Sequence, residues 1–285
     1  MNRRPRLALV LALIGLLGGC GSAVDRDSSG TDEKPFWQAE FDGASATRPS
    51  ARFWNTEIGN RDAEGWGNNE LQYYTDDSSN SALDGEGHLL LSARPAPAGS
   101  ELPCHTRRFC PWTSARLTTE GKVSLTHGRA EVRAKLPTGT GLLPAVWMLG
   151  NNGVEWPGQG EIDICEVVGG EPQTVYGTAH GPTYYNDNGI GGTATLPADA
   201  SQAFHVYAVD KQPHRITWLV DGKPYFTLTP SQVPRPRDWV FEQDMHLLLN
   251  VAVGGDWPGP PDASTPSPAT MTVDYVRFYG EGHSG

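Results

Sequence analysis

Strand-length runs of apolar and alternating residues recur along most of the chain, with Gly, Pro, Asn and Asp between them. Such runs bounded by turn residues are typical of β-strands, and no long helical period is present. Residues 216–228, ITWLVDGKPYFTL, place Asp-Gly between two of these runs, which is a strong hairpin signal. The pattern therefore predicts one all-β sandwich over about residues 35 to 280. The clearest candidate strands are HLLLSAR, GRAEVRAKL, PAVWML, EIDICEVV, FHVYAVD, HRITWLVDGK, MHLLLNVAV and MTVDYVRFY.

The N-terminal residues follow a different pattern and are predicted to lie outside this domain. An arginine-rich start precedes a short apolar run, residues 7–17, which is too short for an ordinary transmembrane helix. The run leads into Leu-Gly-Gly-Cys20, which resembles a bacterial lipoprotein cleavage site. We expect a signal peptide over 1–19, a lipid on Cys20 and a flexible polar tether over 20–34. An ordinary signal peptide with a chance cysteine is the alternative.

The predicted export and the net charge of the chain limit the kinds of molecule that it is expected to bind. Lipidation at Cys20 predicts an extracytoplasmic protein that touches the bacterial cell membrane only through its anchor. The chain has 285 residues and a formal net charge of −11, without a basic stripe. This balance argues against a nucleic-acid partner and is compatible with a neutral polymer such as a polysaccharide. Nothing in the sequence demands more than a monomer.

The segment GEIDICE, residues 160–166, carries the candidate chemistry. Side chains alternate along a strand, so Glu161 and Asp163 share one face while the two isoleucines share the core face. Simple alternation would send Glu166 into the core, where an unpaired carboxylate is costly. One extra residue taken up as a β-bulge would bring Glu166 back beside the other two acids.

Three carboxyl groups on one strand face repel each other, which raises the pKa of at least one of them. Glycoside cleavage uses such a pair, with one group protonated and the other ionised. A solvated acidic strand edge or a calcium site would also explain three acids, so the motif by itself leaves these alternatives open.

The motif does not stand alone. GEIDICE resembles the catalytic strand of the laminarinase-like branch of glycoside hydrolase family 16. Further segments of that branch follow in order over residues 36–280. They include GWGNNELQYYT, SARLTTEGKVSLTHGRAEVRAKLPTGTGLLPAVWMLG, GTAHGP, LLLNVAVGGDWPG and DYVRFY.

The resemblance implies a fold and an activity. The fold is a concanavalin A-like β-jelly-roll of two curved antiparallel sheets with an open cleft, over residues 35–281. The activity is endo-hydrolysis of β-1,3-glucan with retention and without a catalytic cofactor. By the resemblance Glu161 is the nucleophile, Glu166 is the acid and base, and Asp163 bonds to the nucleophile. Cys165, where the family often has an apolar residue, is expected to pack as a small hydrophobe.

The remaining candidate residues support these three acids. Tryptophans in family-like segments offer flat apolar area to sugar rings, and polar residues at matching positions are expected to fix hydroxyl groups. A structural calcium ion is implied by three further positions. In an exported protein, Cys104 and Cys110 are candidates for a disulfide, with two free thiols as the alternative. The substrate-binding candidates are Asn69, Glu131, Arg133, Trp147, Trp156, His180, Asn250 and Trp257, and the calcium candidates are Glu40, the Gly87 carbonyl and Asp274.

Other functions fit parts of the same pattern. Mixed-linkage β-1,3-1,4-glucan is the second substrate, and a galactan is disfavoured because the loops of galactan-cleaving relatives are not apparent. A transglycosylase would use the same covalent intermediate. A non-catalytic glucan-binding lipoprotein would keep the tryptophans but would not need three acids, and a structural surface protein would need neither.

Overall fold

A computed structural model describes residues 33–60 and 65–285. The predicted signal peptide, Cys20 and most of the predicted tether lie outside the described residues. Within them, no helix is long and apolar enough to cross a membrane.

The regular secondary structure of the described residues is almost entirely β-strand, as predicted. The helical elements are a π-type turn, Gly65–Asn69, and two short 3₁₀ turns, Asn186–Asn188 and Pro236–Asp238. The strands are β1 Trp37–Ala39, β2 Asn55–Thr56, β3 Gln72–Tyr74, β4 Ser81–Leu83, β5 Leu89–Pro95, β6 Trp112–Ser114, β7 Arg116–Thr118, β8 Val123–Lys135, β9 Leu142–Gly150, β10 Glu161–Glu166, β11 Thr174–His180, β12 Ile190–Thr195, β13 His205–Gln212, β14 Arg215–Val220, β15 Lys223–Leu228, β16 Met245–Val253 and β17 Ala269–Ser284.

The strand pairings build two layers. The front layer runs β12-β11-β10-β9-β16-β7-β2, with every neighbouring pair antiparallel. The back layer runs β4-β5-β17-β8-β13-β14-β15, with β1 also along β17. A single β16–β8 bridge joins the two hydrogen-bond networks, and the short β3–β6 pair is parallel.

One hydrophobic cluster lies between the layers. It contains Val146 and Leu249 from the front layer together with Val132 and Val276 from the back layer, all fully buried. The predicted hairpin is confirmed, because β14 and β15 pair across Asp221 and Gly222, which both have positive φ. The predicted all-β sandwich is therefore confirmed, and the face of β10 turned away from this cluster remains for chemistry.

Candidate active site

Strand β10 carries its three acids on one face, and the predicted bulge is confirmed. The register slips between Asp163 and Glu166 against β11 and between Asp163 and Cys165 against β9. This slip returns Glu166 to the side of Glu161. Cys165 is a buried free cysteine, in agreement with the expected packing role. The core side of this segment consists of Ile162, Ile164, Cys165 and Val167.

An indole from the back layer holds the bulge from beneath. Trp218 on β14 is fully buried, and its Nε1 donates a 2.8 Å hydrogen bond to the main-chain oxygen of Asp163. A bulge disrupts the ladder locally, and a buried carbonyl without a partner is unfavourable. Gly177 on β11 leaves room for this ring, because a Cβ there would lie 2.5 Å from Trp218 Cδ1. Trp218 thus fixes the backbone that separates Asp163 from Glu166.

Two of the predicted substrate-binding residues contact the acids directly. The Nε1 of Trp156 donates a 2.6 Å hydrogen bond to Glu161 Oε2. The Nε2 of His180, opposite Glu161 in the β10–β11 register, lies 3.1 Å from Asp163 Oδ2. Trp156 is still 43% exposed, so its ring remains available to a ligand. Its edge packs on Tyr185, with 5.6 Å between the ring centroids.

The two glutamates have different electrostatic surroundings. Burial and the Asp163 charge raise the pKa of Glu161 to about 8, against the opposing effects of His180 and the Trp156 hydrogen bond. Burial and the charges of Asp163, Glu161 and Glu70 raise the pKa of Glu166 well above its usual range, with no opposing contribution. Two neighbours of Glu161 thus favour its ionised form, whereas the charged neighbours of Glu166 all favour its protonated form.

His180 supplies the positive charge beside the acids. Burial lowers its pKa, but the hydrogen bond and charge of Asp163, with the charge of Glu161, outweigh burial and raise the pKa to about 9. The imidazole is therefore protonated at neutral pH, and it favours the ionised form of Glu161.

A hydrogen-bonded row on the other side of β10 positions Trp147. This residue lies opposite Asp163 in the β9–β10 register, and its Nε1 donates to Asn250 Oδ1 at 2.7 Å. The Nδ2 of Asn250 donates to the Tyr74 hydroxyl at 3.0 Å, and that hydroxyl donates to Glu70 Oε2 at 3.4 Å. Asn250 is buried and bonded on both amide atoms, so it orients Trp147.

Arg116 on β7 stacks between two indoles. Its guanidinium carbon lies 4.7 Å from the centre of the Trp147 ring and 4.4 Å from that of Trp66. It also forms an ion pair with Glu57. Cation–π contacts of this kind hold flat aromatic surfaces at a fixed spacing, so the front layer presents an ordered row that leads away from β10.

The remaining tryptophan and asparagine candidates lie in loops that join this face. Trp257 is 45% exposed, and its ring contacts Tyr176 edge-on at 4.9 Å between centroids. Tyr176 is opposite Glu166 in the β10–β11 register, which puts Trp257 at the Glu166 end of the strand. Asn69 donates to both carboxylate oxygens of Asp256, at 3.1 and 3.0 Å, and so ties two loops together.

The expectation that Glu131 and Arg133 line the cleft is wrong. They alternate with the buried Ala130, Val132 and Ala134 on β8, so they lie on the outer face of the back layer. Glu131 pairs with Arg129 at 2.6 Å, and Arg133 forms an ion pair with Asp274 and stacks on Phe204. The sequence placed the two side chains on one strand face correctly, but β8 belongs to the other layer.

Two of the three calcium candidates, Glu40 and Asp274, are bound to arginines in the structure. The Glu40 carboxylate accepts two hydrogen bonds from Arg277, at 2.8 and 2.9 Å, and Asp274 bonds to Arg133. These side chains as placed do not fit a calcium site, because an ion bound between them and the Gly87 carbonyl would have to displace both arginines. Calcium binding stays a prediction from the resemblance.

One group of side chains at the site has a spacing that could hold a metal ion. Ligand atoms of Glu161, Asp163 and His180 all lie within 4.8 Å of one another, and no other such group occurs in residues 33–60 and 65–285. Hydrolysis by a carboxyl pair needs no metal, and these three residues form the hydrogen-bonded set already described.

Cys104 and Cys110 form the predicted disulfide and close a short loop between β5 and β6.

Three residues that shape the site were not predicted from the sequence. Glu70 is buried beside the site, Arg116 stacks on Trp147, and Trp218 bonds to the bulge. Arg116 stands between two apolar residues in the quoted segment SARLTTEG, which was the available signal. Glu70, in GWGNNELQYYT, follows Asn69 and lacks that signal. Trp218 carried no signal, because a tryptophan in an alternating strand usually packs in the core.

Comparisons with known proteins agree with this geometry. The family model for "Glycosyl hydrolases family 16" matches residues 64–277. A β-glucanase of Rhodothermus marinus is 39% identical over 98% of this chain and 96% of its own length. The endo-β-1,3-glucanase of Pyrococcus furiosus is 44% identical, with a TM-score of 0.80 over 89% of this chain and 96% of its own. The laminarinase catalytic domain of Thermotoga maritima is 43% identical, with a TM-score of 0.79 over 88% and 99%.

Proposed function

The chain belongs to glycosyl hydrolase family 16, and we propose that it is an endo-β-1,3-glucanase that cleaves its substrate with retention through Glu161 and Glu166. Relatives named as β-glucanase, endo-β-1,3-glucanase and laminarinase match nearly the whole described domain. The observation that carries the residue assignment is the bulge, because it puts both glutamates on one open face of β10.

The surroundings of the two glutamates assign their roles. Glu161 accepts a hydrogen bond from Trp156 and lies near the protonated His180, and both contacts favour its ionised form. Glu166 has only neighbours that favour its protonated form. A nucleophile must be ionised and a general acid must carry a proton, so Glu161 is the nucleophile and Glu166 is the acid.

The reaction proceeds in two displacements. A carboxylate oxygen of Glu161 bonds to the anomeric carbon while the bond to the leaving oxygen breaks, and Glu166 donates its proton to that oxygen. In the second step Glu166 takes a proton from water, the water oxygen bonds to the anomeric carbon, and the ester to Glu161 breaks. Asp163 holds His180 beside Glu161 throughout, so the positive charge stays near the group that must be an anion.

The function is tested with the purified protein and three polymers. We expect rapid release of short oligosaccharides from laminarin, slower release from barley mixed-linkage glucan and none from agarose, with the β-anomer formed first in an NMR time course. Faster cleavage of the barley polymer would mean that mixed-linkage glucan is the preferred substrate, and the proposed mechanism would stand. Binding of laminarin without cleavage of any polymer would contradict the hydrolase proposal and favour a glucan-binding protein.

We propose that the protein acts outside the cytoplasm as a monomer, held at the membrane by a lipid on Cys20. The lipoprotein-like segment before Cys20 supports this proposal, and the Cys104–Cys110 disulfide suits an oxidising compartment. Cell fractionation of the full chain and of a Cys20→Ser variant tests the anchor. We expect membrane attachment of the full chain only, and light scattering of the detergent-free variant should give the mass of one chain.

A further inference from the structure

The disulfide-closed loop forms one wall of a cavity at an end of the front layer. The cavity has a volume of ≈ 760 Å³, which is within the usual range for ligand pockets. Its other walls come from the segment after β2, from the π-type turn and from β3. The lining residues include Glu57, Ile58, Asn60, Trp66, Tyr73 and His105.

A buried asparagine fixes this wall in place. The Nδ2 of Asn60 donates to the main-chain oxygens of Glu70 and Gln72, at 3.1 and 2.8 Å, and its Oδ1 accepts the main-chain N–H of His105 at 2.7 Å. Asn60 is only 5% exposed. The Cys104–Cys110 bond then closes the loop, so the cavity is largely formed before any ligand arrives.

The ordered row of the front layer leads from the acids to this cavity. Trp147 lies opposite Asp163, Arg116 stacks between Trp147 and Trp66, and Trp66 lines the cavity. Four strand spacings separate β10 from β2, which corresponds to roughly 19 Å along the layer. A ligand that reaches both places must therefore be a chain of several sugar units.

The lining suits a neutral sugar. Ile58 is 55% exposed, and Tyr73 and Trp66 are partly exposed, so they offer apolar area to the C–H faces of a pyranose ring. Glu57 and His105 supply polar atoms for hydroxyl groups. The Glu57 carboxylate forms an ion pair with Arg116, which compensates the acidic charge of the lining.

We propose that this cavity is a distal subsite that binds a glucosyl unit of a neutral β-glucan chain, several units away from the bond that is cleaved. The proposal rests on the proposed function for its ligand class. It makes the disulfide loop a determinant of chain-length preference, because only long chains reach the cavity while bound at Glu161 and Glu166.

The test compares a series of laminarin oligosaccharides of increasing length on the full chain. The Ile58→Ser variant should lower the ratio of kcat/KM for the longest over the shortest member by about fivefold, as expected from the loss of one apolar contact. The Cys104→Ser/Cys110→Ser variant should change the ratio in the same direction. Arg107→Ala, on the same loop but outside the cavity lining, is the matched control.

A binding measurement separates this proposal from the hydrolase proposal. In a Glu161→Ser background, calorimetry with the longest oligosaccharide should show weaker binding for Ile58→Ser than for Arg107→Ala. Equal binding of both, with an unchanged length ratio, would overturn the distal subsite. Absence of cleavage by the parent chain, with the binding difference retained, would overturn only the hydrolase proposal.

Discussion

The open face of β10 and the outer face of the back layer carry similar numbers of acids but neutralise them in opposite ways. On the back face three carboxylates each pair with an arginine of their own. On β10 the acids share the single imidazole of His180 and one indole N–H. The back-face pairs are Glu40–Arg277, Glu131–Arg129 and Asp274–Arg133.

The difference shows what distinguishes a reactive acidic cluster from a structural one. An arginine beside each of these carboxylates supplies a permanent positive charge, since a guanidinium is always charged. Burial and mutual repulsion on β10 instead raise the pKa of both glutamates, and only Glu161 has neighbours, His180 and Trp156, that oppose the rise. The back face pairs these carboxylates with arginines, whereas β10 gives its two glutamates different electrostatic neighbours.

Replacement of the nucleophile should have the largest effect. Glu161→Ser removes the group that bonds to the anomeric carbon, so we expect laminarin hydrolysis to fall by at least about 10⁴-fold. Reducing-end release measures this loss. Glu131→Gln on the back face is the matched control, and a comparable loss in that variant would erase the distinction between the two faces.

Replacement of the acid should have the next largest effect. Glu166→Gln cannot protonate the leaving oxygen, so kcat/KM for laminarin should fall by about 10²- to 10⁴-fold. An aryl β-glucoside oligomer with a good leaving group needs little protonation in the first step. Burst kinetics should therefore show its first step largely preserved, and an equal loss on both substrates would argue against Glu166 as the acid.

Removal of the imidazolium should change the pH profile. His180→Gln takes away a charge that favours ionised Glu161, so the pKa of Glu161 rises and the acidic limb of kcat/KM moves to higher pH. Activity near pH 6 should fall by roughly tenfold, equivalent to about 1.4 kcal/mol. His88→Gln, which breaks a surface pair with Asp84, should leave the profile in place. An unshifted limb in His180→Gln would contradict the electrostatic role.

Loss of the bulge contact should act on both stability and turnover. Trp218→Phe leaves the Asp163 carbonyl without its donor, so we expect the free energy of unfolding to fall by about 1–3 kcal/mol. We also expect kcat to fall more than KM changes, because the cleft surface is kept. Trp37→Phe is the control, since the Trp37 N–H has no hydrogen-bond partner among the described residues. Equal effects on kcat in both variants would show that Trp218 acts only through packing and not through its hydrogen bond to the bulge.

The smallest effect is expected on the back face. Arg133→Met breaks the partly exposed pair with Asp274, which should change the free energy of unfolding by less than about 1 kcal/mol. Glucan hydrolysis should stay within about twofold of the parent. A tenfold loss of glucan hydrolysis would indicate that Arg133 does contact the substrate.

Local rules predicted the parts of the site that depend on local structure. Alternation along GEIDICE predicted the bulge, since Glu166 would otherwise be buried, and Asp-Gly predicted the β14–β15 hairpin. Alternation also put Glu131 and Arg133 correctly on one strand face, but the resemblance placed them in the cleft. Alternation could not correct that placement, because it does not give the layer to which a strand belongs. Glu70 was not predicted for a related reason, since its hydrogen-bonded link to the site runs through Tyr74 to Asn250 on β16, which is distant in sequence.

The central claim is that Glu161 is the nucleophile and Glu166 is the acid, and covalent labelling tests it most directly. A 2-deoxy-2-fluoro laminari-oligosaccharide with a good leaving group should accumulate the glycosyl-enzyme, because the fluorine slows the second step. Mass spectrometry of the digested protein should find the sugar on Glu161. A label on Glu166, or full turnover with inversion and no label, would contradict the account.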